Sequence, residues 1–226
     1  MQREMLKVLH VDNHVLVVYK EAGVPVVPDS SGDPSLLEEA KVWVKKGYQK
    51  PGEAFLGVVH RLDRPVSGLV VFGRTSKGAA RLSKAWQDGQ VTKRYQGMSL
   101  QAPLEPIGQM EQWLLKDGGK NKVQVVSPES PKSKRALTQW RAVGEINGQH
   151  FLWLEPTTGR PHQLRVACRS LNAPLAGDLK YGATSPLGDG RRIALHAARL
   201  EFPHPTREER ICISSDADFW PTSLPD

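Results

Sequence analysis

Apolar segments in this chain are short, and glycine or proline interrupts most of them before they reach helix length. His14–Tyr19 reads as a buried strand, ended by Gly23 and Pro25. Leu56–Leu62 reads as a strand running into a charged segment, and Leu69–Phe72 as the next strand. Val91–Leu100 alternates in strand fashion, and residues 113–115, 122–126, 136–143 and 150–154 read as further short strands. Three stretches carry helical spacing instead. Pro34 opens one, with Leu36, Leu37, Ala40 and Val44 on its apolar face. Ser76 caps the second, whose face is Ala79, Leu82 and Trp86 and whose end is Gly89. Pro161 is placed as the first residue of the third, with Leu164, Ala167, Cys168 and Leu171 on one face and Asn172 as a left-handed stop. Strands dominate and do not alternate regularly with helices, which disfavours a doubly wound parallel fold. The predicted class is α+β, a mixed and mostly antiparallel sheet with flanking helices. No repeat or linker divides the sequence, so residues 1–226 are expected to form a single domain. The tail from Ser214 carries Phe219 and Trp220, which can dock on a core or fray.

Charge and cysteine content narrow the function classes. The formal net charge is +7 and the pI about 9.5, which suits a polyanionic partner. No apolar run approaches the ~18 residues of a membrane span, and the N-terminus carries mixed charge with no apolar core of a secretory signal. Cys168 and Cys212 lack metal-ligand spacing, so no zinc site is expected; they read as buried residues of a reducing compartment.

One segment joins these elements to chemistry. His60-Arg61-Leu62-Asp63-Arg64-Pro65-Val66-Ser67-Gly68-Leu69 places an aspartate between two arginines at the end of an apolar run, before a Ser-Gly turn. Nearby positive charge favours an ionised carboxylate, and an ionised carboxylate on a supported loop is a candidate nucleophile. An ordinary surface ion pair at a strand end has the same appearance. The segment Thr157-Thr158-Gly159-Arg160-Pro161-His162-Gln163-Leu164-Arg165-Val166 puts Thr, Gly and Arg ahead of a helix, as in an anion site, and a cationic helix face reads alike. By spacing alone Tyr95 is a core residue of an alternating strand, and Leu195 a buried leucine.

The order of four blocks resolves more than any one of them. His60-Arg61-Leu62-Asp63 with Ser67-Gly68-Leu69 resembles the catalytic signature of the RluA-type RNA pseudouridine synthases. Lys93-Arg94-Tyr95 is similar to that family's K-x-Y segment. Residues 158–166 with Gly177-Asp178 and Tyr181-Gly182 resemble its TGR-x-HQ and GD-x-x-YG blocks. Leu195-His196-Ala197 with His204-Pro205 resembles its LHA and HP pair. Lys20 to Pro25 matches its N-terminal K-P-x-G-x-P loosely. Val66, Pro161, Ala167 and Glu21 depart from the family's usual Thr, Thr, His and Pro.

The resemblance implies the pseudouridine synthase fold with a central active-site cleft, and isomerisation of uridine to pseudouridine in a flipped-out base. It implies Asp63 as the catalytic residue, acting at C1′ or on the 2′-proton, with attack on uracil C6 as a competing view. It implies Arg165 as partner of that carboxylate, Tyr95 stacked on uracil, Arg61 filling the gap left by the nucleotide, and Leu195 lining the base pocket. No cofactor and no metal are expected. The expected partner is a tRNA or rRNA stem-loop held by basic residues such as Arg74, Lys77 and Lys93, with no membrane partner. The chain is expected to be a cytoplasmic monomer without a separate N-terminal RNA-binding domain. Two rivals remain: a catalytically inactive RNA-binding or RNA-folding module, and a nucleoside or glycoside hydrolase. The second would need paired carboxylates, where one is conspicuous.

Overall fold

The computed structural model describes residues 6–49 and 51–224. Its chain divides into two compact units, residues 1–92 with 199–215 (unit 1) and 93–198 with 216–226 (unit 2).

In unit 1, β1 (Val8–Val11) pairs antiparallel with β2 (Val15–Lys20), and β2 pairs antiparallel with β4 (Ser67–Gly73). Both β2 and β4 are continuous apolar runs, and Val15 to Val18 and Leu69 to Phe72 are fully buried, as a strand covered on two faces requires. Between them lies α1 (Leu36–Gly47). Ser35, not Pro34, caps it: Ser35 Oγ accepts the Glu38 N–H and Glu38 returns a bond to the Ser35 N–H. Leu36, Ala40 and Val44 face inward.

The strand expected over 56–62 shrinks to β3 (Gly57–Val58), because the chain leaves β4 once the charged segment begins. The second helix, α2 (Ser76–Gln87), starts one residue earlier than expected, capped by Thr75, whose Oγ1 accepts the Gly78 N–H at 3.0 Å. Its first turn presses against the β3–β4 pair. A Cβ on Gly73 would stand 2.5 Å from the Ala79 Cα, so only glycine admits the helix there.

Unit 2 is built on antiparallel ladders. β5 (Thr92–Ser99) pairs with β9 (Gln149–Pro156), β9 with β8 (Lys134–Ile146), β8 with β6 (Ile107–Asp117), and β6 with β7 (Lys122–Val126). Asn147 and Gly148, both at positive φ, close the β8–β9 hairpin between the paired residues Ile146 and Gln149. This is the two-residue turn that Asn-Gly favours. The helix α3 (Gln163–Ser170) packs on this unit, followed by Asn172 at φ 59°, the expected left-handed stop, and a helical turn at Leu179–Tyr181. The tail docks: Gln96 bonds to Asp216 and to the Ala217 N–H, and Trp220 packs edge-on to Phe151 and beside Trp153.

Three strands escaped sequence reading: β1, β10 (Leu195–Pro203) and β11 (Arg210–Ser214), which pairs antiparallel with β10. Arg199 and Glu201 interrupt β10, and β11 offers only Ile211-Cys212-Ile213 between Arg210 and Ser214, too short a run to stand out. The cysteine expectation is half corrected. Cys168 is buried and its thiol is pushed far up by burial, whereas Cys212 on β11 is exposed.

Candidate active site

The segment that carries Asp63 is a loop fastened from behind. Val66 N–H donates to the Asp63 carbonyl at 3.0 Å and closes a turn over Arg64 and Pro65. The Arg64 carbonyl then accepts the Gly23 N–H at 2.8 Å and the Lys20 ammonium at 3.0 Å. Lys20 is fully buried at the end of β2 and also donates to the carbonyls of Glu21 and Val24, at 3.0 and 2.8 Å. One ammonium thus ties the Lys20–Pro25 loop to the residue after Asp63. Burial lowers its pKa to about 7, and the Asp63 carboxylate is the strongest influence raising it again. The expectation that Asp63 sits between two guanidiniums needs correction. Arg64 directs its own to the Gly23 carbonyl at 2.9 Å and to the Asp29 and Asp33 carboxylates.

Arg61 is exposed and Asp63 half-buried on this loop, with Leu62 turned inward between them. His60 fixes the entry to the loop. Its Nε2 accepts the Val71 N–H at 3.0 Å, and its ring stacks on Trp86 with centroids 4.8 Å apart.

In unit 2 the loop 157–162 is organised by Gln163. This side chain is buried and makes four hydrogen bonds. Oε1 accepts the Arg160 N–H and the Thr158 hydroxyl, while Nε2 donates to the Leu137 carbonyl and to Thr138 Oγ1. The polar spacing of Thr158, Arg160 and Gln163 is therefore the anchoring of a loop to β8. Pro161 does not open α3. The helix begins at Gln163, after His162 at φ 52°.

Arg165 is almost fully buried. It forms a two-pronged pair with Asp178, Nε to Oδ2 at 2.7 Å and Nη2 to Oδ1 at 2.8 Å, the geometry in which guanidinium and carboxylate bind best. Its guanidinium lies 4.9 Å from the centre of the Tyr181 ring. The Tyr181 hydroxyl accepts the Val123 N–H at 2.8 Å and bonds to His162 Nδ1 at 2.7 Å. Tyr95 is half-buried on β5 opposite Leu154. Lys93 lies on the same face two residues earlier, and its ammonium donates to the Thr158 carbonyl at 3.1 Å. Burial draws that ammonium's pKa down. Leu195 opens β10 and is buried.

Arg61 and Asp63 therefore belong to unit 1, and Tyr95, Arg165 and Leu195 to unit 2. Two of the three basic residues expected to meet phosphate are already engaged. Arg74 is buried, donating to the Asp12 carbonyl and the Tyr48 hydroxyl, and Lys93 is held as above; Lys77 is exposed. The residues that sequence reading left without a role are Lys20, Gln163 and Asp178. All three lie inside the quoted blocks, so the signal was their presence there; the partners that explain them lie 44, 26 and 13 positions away.

Comparison with known proteins decides the family. The model of the RNA pseudouridylate synthase family matches residues 14–170. The chain belongs to this family. An uncharacterised RNA pseudouridine synthase of Zymomonas mobilis is 34% identical over 213 residues, covering 93% of this chain and 92% of that protein. The dual-specificity RNA pseudouridine synthase RluA of Pasteurella multocida is 29% identical over 215 residues, 95% and 94% of the two chains. Human RNA pseudouridylate synthase domain containing 4 superposes with a TM-score of 0.78 at 23% identity, over 94% of this chain and 89% of the human one, a likeness of fold. The synthase converts uridine to pseudouridine in RNA. Every strand pairing described in its two units is antiparallel, and the inactive-module reading is not favoured.

Proposed function

We propose that Asp63 carries the isomerisation, and that its substrate is a uridine in a structured stem-loop of tRNA or rRNA. The observation that supports Asp63 is the fastening of its loop. A carboxylate that attacks C1′ or takes the 2′-proton must be aimed before the base arrives; the ties at Gly23, Lys20 and Val66 fix the backbone that leaves it, and His60 fixes the entry. Arg61, exposed two residues earlier, fills the space the flipped nucleotide leaves. Tyr95 stacks on the uracil, Leu195 packs against it, and Arg165 serves the catalytic carboxylate as the family resemblance implies. The matched bacterial relatives, spanned over more than nine-tenths of their length, support residues 1–226 as one catalytic module. The RNA substrate supports action in the cytoplasm, and no helix among the described residues is long and apolar enough to cross a membrane.

Asp63→Asn keeps the shape and removes the charge and basicity of the carboxylate. Tritium release from 5-tritiated uridine RNA is expected to fall at least ~10³-fold, while RNA affinity stays within a few fold. Substantial turnover by the Asn variant would remove Asp63 from its role. Mapping of modified uridines in cells lacking the gene identifies the stem-loop.

A further inference from the structure

Two adjoining hollows open in unit 2, of about 500 and 450 Å³. Both are lined by Lys122 on β7, Arg169 in the last turn of α3, and Tyr181. Lys180 adds a third cation to the second hollow, and no carboxylate lines either one. Some exposed cations elsewhere in the chain stand beside an acid: Arg135 by Glu111, Arg191 by Asp189, Arg210 by Glu201, Lys84 by Asp88. Arg169 is exposed, and its guanidinium makes no hydrogen bond or ion pair among the described residues. Its position at a helix C-terminus is favourable in itself, but that accounts for one cation and not for three from separate elements. The Lys122 ammonium stands 6.0 Å from the Tyr181 ring, and Lys180 donates to the Asn121 carbonyl at 2.9 Å, which pins the β6–β7 hairpin as one wall. Tyr181, the shared floor, bonds on its other side to His162 and lies under Arg165.

We propose that this groove between β7 and α3 binds a stretch of the RNA substrate's phosphodiester backbone, with Lys122 and Arg169 as the phosphate contacts and Lys180, held by the Asn121 carbonyl, adding positive charge at the rim. The proposal rests on the RNA-modifying activity of the family and adds a second surface to it. A groove whose charged side chains are all cations, set among amides, hydroxyls and the apolar Val123, Val125, Val166 and Leu179, suits phosphate oxygens. Its contribution is to hold and orient the strand.

The test is a salt titration of binding to bulk transfer RNA and to deproteinised large-subunit ribosomal RNA. The double variant Lys122→Gln/Arg169→Gln is expected to raise Kd about tenfold. It should also flatten the slope of log K against log salt by about 1.4–1.8, the value for two lost phosphate contacts. Arg169→Lys, which keeps the charge, is expected to keep the slope. Lys45→Gln/Lys46→Gln on α1 removes the same net charge elsewhere and serves as the control. Equal weakening by the control double would mean that net charge alone matters and would overturn the groove. RNA affinity indifferent to the groove variant would also overturn it, pointing to an acidic protein segment as the occupant. Pseudouridine formation by the unaltered chain is scored in the same samples. Its absence would count against these RNAs as the substrate, whereas its presence with an indifferent groove variant counts against the groove alone.

Discussion

In unit 1 a buried lysine meets three main-chain carbonyls; in unit 2 a buried arginine meets a carboxylate. Among the described residues no acid is hydrogen-bonded to Lys20, and burial draws its pKa to about 7. Arg165 is neutralised on the spot by Asp178 through two parallel bonds. The two devices do different work. Carbonyls belong to the backbone, so an ammonium that collects them from residues 21, 24 and 64 fixes the path of two loops. A carboxylate belongs to a side chain, so the Arg165–Asp178 pair fixes the orientation of one guanidinium. Where a loop must present an acid, the backbone is held; where a helix must present a cation, the side chain is held.

The largest effect should come from breaking the side-chain device. Arg165 and Asp178 are 6% and 1% exposed, so Asp178→Asn takes the two-pronged carboxylate away from a guanidinium held in the interior. The expected loss is ~3–5 kcal/mol of unfolding free energy. It is read as a lower urea midpoint at an unchanged m-value. Arg165→Met/Asp178→Asn, which removes the buried charge altogether, should recover part of that loss. A single variant within about 1 kcal/mol of the parent would mean the pair does not hold unit 2 as described.

Much of this comparison was written in the sequence in a form that could not be decoded there. The strands β2, β4 and β7 and the apolar face of α1 follow from local pattern, because each carries an apolar run, an alternation or a clear helical repeat. Asp63 stood out because its neighbours in sequence include its charges. Lys20, Gln163 and Asp178 did not, because what gives each a role is a carbonyl or a side chain brought near only by folding. The same reason misassigned Arg74 and Lys93. A basic residue beside an active-site strand looks available for phosphate until the fold supplies the carbonyl that takes it. Pro161 misled in the opposite sense. Its suitability for a helix start is real, but the four bonds of Gln163 set where α3 begins.

Breaking the backbone device should cost less in stability and more in pH response. Lys20→Met leaves three carbonyls without their donor but also removes a buried charge. The net loss is therefore expected at ~1–3 kcal/mol near pH 6. The sign of the pH effect follows from linkage. The folded-state pKa of about 7 lies below the ordinary lysine value of 10.5. Between these values the unfolded chain binds a proton that the folded chain does not, so the parent gains stability as pH rises through that window. Below about 7 both states are protonated and the burial penalty is present in full. The stability gap between parent and Lys20→Met should therefore widen from about pH 6 to about pH 9 in urea titrations. A gap that stays flat or narrows would place the titration of Lys20 outside this range.

The smallest effect sharpens the comparison inside unit 1, where an anion is also held chiefly by backbone. Asp12 Oδ1 accepts the N–H groups of His14 and Val15 at 2.7 and 2.8 Å, and Oδ2 takes His204 Nε2 and Arg207 Nη2 at 2.9 Å each. His204 Nδ1 accepts the N–H groups of Thr206 and Arg207, so the ring hydrogen sits on Nε2 and points at Asp12. Burial raises the pKa of this carboxyl, but the His14 and Val15 N–H groups, with His204 and His10, overcome it and bring the value to about 2. A carboxylate depressed in the folded state adds stability that is complete above its ordinary value of 3.8 and is lost as pH falls through about 2. Asp12→Asn preserves the size of the group and cannot lose a charge. It should cost ~1 kcal/mol near neutrality, and its deficit against the parent should shrink as the pH of the urea titration is lowered from about 5 toward about 2. If the deficit instead stays constant down the acid limb, Asp12 holds the β1–β2 turn by shape and not by its charge, and the backbone grip in unit 1 would extend to Lys20 alone.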